Sequence, residues 1–325
     1  MITVNRIGAF APETVKIDSW EFDERTLAAD SVCGPTVCSL ISAGTEIHCC
    51  YLNCLNLEYP LYMGYSCVFR AEYVGSEVKA IKPGDLLFTN GPHASYQVAR
   101  AVDTVHVPDT LEPEQGLFAR MAAISMATFS HTKARPGELV LVTGLGAVGL
   151  MAVQAYRAAG YRVIAVDPWD QRRAFAAELG AEEVFPSIPV EKYQGQVALM
   201  LECSGTEPPV VEGCDVVRKE GEISLVGVPW RKTSDTLAFP LLHKIFYNYI
   251  NIYSGWEYRL PMQPSDFQQD SFATNFRLAM RWLEQGVIRT DGLYGIRPYT
   301  EAAAIYDDLY HKRTTHPSTV MDWRK

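Results

Sequence analysis

The sequence predicts an α/β protein of two domains, a β-rich N-terminal module and a doubly wound parallel sheet. Three observations predict it. The first 120 residues read as short strands between turn signals. From Glu138 onward apolar strands alternate with helical segments at crossover spacing, the pattern of a parallel sheet with its connections packed on both faces. The chain has 325 residues, 48% of them hydrophobic, which is ample for two cores.

In the N-terminal part the expected strands are Val37 to Ile41, Cys67 to Val74, Leu86 to Thr89, Ser95 to Val98 and His106 to Pro108. Lys82-Pro83-Gly84-Asp85 forms a turn among them. From Pro113 the pattern becomes helical. Strands are then expected at Leu139 to Val142, Tyr161 to Val166, Glu183 to Phe185, Val197 to Glu202 and Gly221 to Val226. Helices Met151 to Ala159, Gln171 to Leu179 and Pro208 to Val217 lie between them. Tyr249 to Tyr253 is a further strand, Asn275 to Glu284 an amphipathic helix, Ala302 to Tyr310 a helix and Ser318 to Asp322 the last strand. The expected division is residues 1–120 with 259–325, and residues 121–258.

The most specific motif is Gly144-Leu145-Gly146-Ala147-Val148-Gly149, which follows an apolar strand and opens a helix. In that context G-x-G-x-x-G marks a dinucleotide site. Gly144 permits the tight turn, Gly146 lets backbone N–H groups approach a pyrophosphate, and Gly149 lets the helix pack on the strand. Asp167 closes the next strand 18 residues beyond Gly149. A carboxylate there accepts both ribose hydroxyls and repels a 2′-phosphate, so NAD is the expected cofactor. Arg172 and Arg173 are the competing signal, since either is able to contact a 2′-phosphate; the alternative places them on the solvated or adenine-facing side of the following helix.

A net charge of −9 without basic runs argues against a nucleic-acid partner, and no apolar run is long enough to span a membrane. Met1 leads directly into the strand-like Ile2-Thr3-Val4, so a cytoplasmic protein is expected. Six of the eight cysteines crowd into the N-terminal part, at Cys33, Cys38, Cys49, Cys50, Cys54 and Cys67. They contain no paired C-x-x-C arrangement, which favours reduced, mostly buried thiols over a metal centre.

Together with this order of domains, several motifs resemble the medium-chain dehydrogenase/reductase superfamily over essentially the full length. They are Ser42-Ala43-Gly44-Thr45-Glu46, Gly64-Tyr65-Ser66, Lys82-Pro83-Gly84-Asp85, Gly144 to Gly149, Asp167, Leu179-Gly180-Ala181, Glu202-Cys203-Ser204-Gly205 and Gly227-Val228. Within it, S-A-G-T-E with G-Y-S looks most like a subgroup containing bacteriochlorophyllide a dehydrogenase. The resemblance implies a GroES-like catalytic domain and a Rossmann domain. It also implies that zinc ligands are missing. Ala43 stands where zinc alcohol dehydrogenases carry a Cys, and Tyr65 stands at the His of their G-H-E motif. No Cys or carboxylate is in register for a third ligand near Met121 to His131, and the four-cysteine structural lobe is absent.

A zinc-free member needs a proton donor or acceptor in place of the Lewis acid. By the resemblance, Thr45 and His48 occupy the positions of a proton relay, and Tyr65 directs its phenol at the reacting oxygen, as a neutral donor or as a base if its pKa is depressed. Glu46 is expected to hydrogen-bond Tyr65 or a substrate hydroxyl. Each has a plainer alternative: Tyr65 as core, Thr45 as a cap, His48 as a solvated side chain. His93 lies in a loop resembling a pocket wall, or on the surface. Cys203, Ser204 and Gly205 would meet the adenosine side of the cofactor, and Gly227 and Val228 the carboxamide. The aromatic stretch Phe246 to Tyr253, with Trp256 and Tyr258, resembles the edge strand through which relatives form homodimers and part of their substrate cleft; the alternative is an edge strand capped by core aromatics. The expected function is zinc-independent, NAD(H)-dependent hydride transfer to or from a secondary alcohol or ketone on a polyol, sugar or larger ring. The alternatives are an enoyl- or quinone-type C=C reductase using NAD(P)H, and a non-catalytic NAD(H)-binding sensor.

Overall fold

The computed structural model describes residues 1–324. The chain forms two compact units: Met1–Arg120 with Met262–Gly286 and the chain from Thr290 onward, and Met121–Pro261 with Val287–Arg289.

The second unit is built on six parallel strands. In chain order they are Leu139–Thr143, Arg162–Val166, Glu183–Phe185, Val197–Glu202, Val217–Leu225 and Asn251–Ser254. Their spatial order is third, second, first, fourth, fifth, sixth, the doubly wound arrangement with its switch point between Leu139–Thr143 and Val197–Glu202. Both of those strands are buried at every position, because helices cover both faces. The core packs Leu141, Ile164, Val197, Met200, Ile223 and Ile250 together.

The first unit is the β-rich one. Its main sheet runs through Tyr294–Pro298, Ser318–Asp322, Ser31–Leu40, Cys67–Arg70, Leu86–Thr89 and Thr104–His106. The last strand pairs antiparallel with Ser31–Leu40, with Met321 opposite Ser39. This register brings Trp323 beside Ser39, a contact the site depends on. A long hairpin, Ile2–Ala11 with Thr14–Phe22, turns through Pro12 and Glu13, the latter at φ 56°. This is the expected α/β architecture, a GroES-like β-rich unit and a Rossmann sheet.

The structure corrects several local expectations. Cys67 to Val74 is two strands, Cys67–Arg70 and Tyr73–Val74. Phe246 to Asn248 end a helix, Ala238–Asn248, and the edge strand starts only at Asn251, after Tyr249 breaks the helix in a left-handed conformation. The amphipathic helix begins earlier than its apolar period suggests, at Phe272, because Ser271 caps it by accepting from the Thr274 N–H. Among the described residues no helix is long and apolar enough to cross a membrane.

Candidate active site

In the nucleotide-binding unit, the chain turns at Gly144 with φ +79° and enters the helix Ala147–Ala158 after Gly146. A Cβ on Gly144 would lie 2.6 Å from the Ser204 nitrogen, and one on Gly149 would lie 1.9 Å from the Gly144 carbonyl oxygen. Neither position has room for a side chain. A Cβ on Gly146 meets nothing within 4 Å, so the space over the helix N-terminus is open. There the first N–H groups of the helix, through Ala147, Val148 and Gly149, lack intrahelical partners and suit a pyrophosphate.

Asp167 is 2% exposed at the end of its strand. Its carboxylate accepts from the Leu145 N–H at 2.8 Å and the Trp169 N–H at 2.9 Å, tying the glycine loop to the neighbouring strand. Arg172 reaches the same carboxylate at 3.5 Å and lies over the Trp169 ring, while Arg173 donates to the Asp167 carbonyl. Both arginines are thus turned toward Asp167. The loop Cys203-Ser204-Gly205 is held by Glu202, which accepts from the N–H groups of Ser204 at 2.8 Å and Gly205 at 2.9 Å. Burial pushes the Glu202 carboxyl up despite those bonds. Gly205 and Gly227 interlock: a Cβ on either would lie 2.4 Å from backbone of the segment facing it, at Val228 and Gly205 respectively. The strand itself ends at Leu225, two residues before Gly227.

In the β-rich unit, Ser31–Leu40 leads to a helical segment whose first turn is Ala43–Thr45 and whose remainder, Glu46–Tyr51, is wound as a π-helix. Its wider turn is seen in the Leu52 N–H bonding the Ile47 carbonyl at 2.8 Å. Opposite it, Gly64 at φ +95° packs on His93, where a Cβ would lie 2.4 Å from the His93 nitrogen. The next residue, Tyr65, is thereby aimed at the start of the helix. Its hydroxyl bonds Ser42 Oγ and lies 3.3 Å from Thr45 Oγ1, so three hydroxyls converge. Arg120, 1% exposed, sets its guanidinium carbon 4.8 Å from the Tyr65 ring centroid. Burial pushes the Tyr65 phenol up to about 12, against the opposing pull of Arg120. At pH 7 only about one molecule in 10⁵ would carry the phenolate, so the group is a neutral donor rather than a pre-formed base.

Glu46 does not bond Tyr65. It is 1% exposed, and its two oxygens accept from the Ser42 N–H at 2.8 Å, from His93 Nε2 at 3.0 Å and from the Tyr306 hydroxyl. His93 is neither on the surface nor on a pocket wall but fully buried, with Nδ1 2.8 Å from Ser39 Oγ. Ser39 Oγ also accepts from Trp323 Nε1–H at 2.8 Å, while His93 donates from Nε2 to the Glu46 carboxylate. His48 is half-buried and donates from Nδ1 to the Gly44 carbonyl at 2.8 Å; it bonds neither Thr45 nor Tyr65. The structure thus joins Tyr65 and Thr45, sets His48 aside and turns Glu46 inward. Sequence reasoning missed two members. Ser42 sits inside a motif already singled out, and Arg120 is the only charge in the apolar helix Phe118–Met126, a signal that was available.

Residues 147–274 match the zinc-binding dehydrogenase family. An alcohol dehydrogenase, patD, of Penicillium expansum is 32% identical over 149 residues, covering 42% of this chain and 43% of that protein. An L-idonate 5-dehydrogenase of Vitis vinifera is 25% identical over 225 residues, covering 54% and 61%. The chain spans about half the length of the curated relatives it matches. Among solved structures, galactitol-1-phosphate dehydrogenase from Escherichia coli superposes with a TM-score of 0.81 at 18% identity, covering 98% of this chain and 99% of that one. These likenesses support the medium-chain dehydrogenase/reductase superfamily that the motifs of the chain resemble, and the solved structures share its fold.

The family implies zinc, and the donor set here does not fit it. The side chains gathered here are the neutral hydroxyls of Ser42, Thr45 and Tyr65 beside Ala43, whereas zinc takes thiolate, imidazole or carboxylate donors. Among the described residues no three His, Cys, Asp or Glu side chains are grouped to hold a metal ion. The nucleotide loop, by contrast, fits a dinucleotide, and the two glycines separate fold from binding. Gly149→Ala should destabilise the protein by about 1–3 kcal/mol, the usual scale for overpacking, whereas Gly146→Ala should leave the melting temperature unchanged and weaken NADH binding in calorimetric titration.

Proposed function

We propose that the protein is a zinc-independent, NAD(H)-dependent oxidoreductase acting on a secondary alcohol or ketone of a polyol, sugar or larger ring. The observation that carries this reading is the convergence of Tyr65, Thr45 and Ser42 hydroxyls where relatives hold a metal. Bound at Gly144 to Gly149, with Asp167, Arg172, Cys203, Ser204, Gly205, Gly227 and Val228 around it, a nicotinamide would supply or accept the hydride. Tyr65 donates the matching proton to the substrate oxygen, and Thr45 orients the phenol. His48, bonded to Gly44, exchanges protons with solvent only through water. The Asp167 carboxylate supports NAD(H) over NADP(H), since the two arginines that favour a 2′-phosphate are drawn onto Asp167 itself. The polyol and alcohol dehydrogenases among the relatives support the substrate class. All eight cysteines are free, which supports a reducing compartment and the cytoplasmic placement.

A homodimer completes this reading. Leu237, Phe239, Leu242 and Phe246 lie exposed along or beside the helix Ala238–Asn248, Phe239 and Phe246 at 73% and 75%. Beside them the strand Asn251–Ser254 is the last of its sheet, with one edge unpaired. An apolar face next to an open edge suits an isologous contact with a second copy. Light scattering at micromolar concentration should give twice the 36.3 kDa chain mass; a single chain's mass overturns the dimer.

The functional test is steady-state kinetics on a panel of polyols and ketones with NADH and NADPH. NADH should be preferred. Tyr65→Phe and Thr45→Val should each lower kcat by about 10²-fold while NADH affinity barely changes, because each removes a hydroxyl and little volume. Near-wild-type turnover in both variants would overturn the reading.

A further inference from the structure

We propose that Arg120 is a positioning residue acting through Tyr65: its buried guanidinium stabilises the phenolate that remains when Tyr65 gives its proton to the substrate oxygen. The inference rests on the reading of Tyr65 as the proton donor. Arg120 lies on the helix Phe118–Met126, where every other side chain is uncharged, and it is 1% exposed. Its guanidinium carbon is 4.8 Å from the Tyr65 ring centroid and 5.7 Å from that of Phe272, so the cation lies near both rings.

Burying a cation is costly, and the field of a buried guanidinium is little screened by water. Against the neutral phenol the guanidinium makes a cation–quadrupole contact. Once the phenol ionises, the contact becomes an attraction between opposite charges in a medium of low dielectric. Arg120 therefore contributes more after proton transfer than before it, which is the condition for lowering a barrier. In the reduction direction the phenolic O–H breaks as a new O–H forms on the substrate oxygen, the hydride comes from a reduced nicotinamide, and water reprotonates the phenolate. Zinc places positive charge on the reacting oxygen itself; here it stands behind the donor.

The other groups facing Tyr65 do not supply that charge. The Ser42 and Thr45 hydroxyls are neutral and accept from the Tyr65 hydroxyl, and the Glu46 carboxylate opposes ionisation. Tyr306 interacts unfavourably with a Tyr65 phenolate when it is itself ionised. Arginine suits the place because it stays charged when buried and its plane lies against a ring; a lysine beside the phenolate keeps the positive charge without the planar contact.

The test places difluorotyrosine at position 65, whose greater acidity brings the titration into a range where the protein stays folded, and follows it by absorbance without added nucleotide. In Arg120→Met the midpoint should rise by about one unit or more, a tenfold change in the ionisation constant. Arg120→Lys should hold most of the original midpoint. In the same two backgrounds with Tyr65 intact, kcat should fall for Met and largely recover for Lys, with KM little changed. Arg120→Gln carries the measurement if Arg120→Met misfolds. An unmoved midpoint in a folded neutral variant, or a Lys variant shifted as far as Met, overturns the role of Arg120. Tyr65→Phe separates the two claims: full turnover there overturns the donor assignment, whereas slow Tyr65→Phe with an unmoved Arg120→Met midpoint overturns only the inference about Arg120.

Discussion

The buried carboxylate of Glu46 is the constraint around which the catalytic unit is arranged. Its oxygens gather the Ser42 N–H, the His93 imidazole and the Tyr306 hydroxyl, from three separate stretches of chain, and the C-terminal Trp323 joins through Ser39 and His93. A carboxylate so deeply buried is tolerated only when its lone pairs are satisfied, and removing one donor would leave it uncompensated. The arrangement holds the first turn of the 43–51 helix in register with Tyr65. Burial also keeps Glu46 from substrate, so its effect on chemistry is exerted through the position of Ser42 and Thr45.

In the proposed zinc-independent reading, the hydroxyl cluster and the buried network beneath it form one connected arrangement. Where a metal would gather ligands from several segments, hydrogen bonds among Tyr65, Ser42 and Thr45 do the gathering, and Glu46 fixes the turn beneath them. Gly64 is required twice, for its positive φ and for the close approach of His93, so the residue that aims Tyr65 also seats the network below it. The phenol that results is weakly acidic, held up by burial and moderated by Arg120. Such a group suits donation to an oxygen that becomes strongly basic during reduction.

Much of the nucleotide-binding unit was legible in the sequence because its signals are local. Glu183–Phe185 and Val197–Glu202 coincide with the apolar runs that predict them, and the glycine loop with Asp167 stands in its expected context. The catalytic unit was less legible. The bond from Ser39 to Trp323 spans 284 residues and that from Glu46 to Tyr306 spans 260, distances over which no periodicity carries information. Glu46, in a motif read as facing Tyr65, turns inward because His93 and Tyr306 wait there. The helix Ala238–Asn248 was missed for a different reason. It buries no residue fully and leaves Phe239, Leu242 and Phe246 exposed, so its apolar period does not mark a core face. The hairpin Ile2–Phe22 turns through Pro12–Glu13, which lacks the Asn-Gly or Asp-Gly signature of a tight turn.

The proposed reading has the hydroxyls of Tyr65, Ser42 and Thr45 standing in place of a metal. Elemental analysis of the purified protein after incubation with zinc and gel filtration tests it most directly. Well below one zinc per chain is expected, with turnover unchanged by a strong chelator. One tightly held zinc per chain, removed together with activity by the chelator, would contradict it.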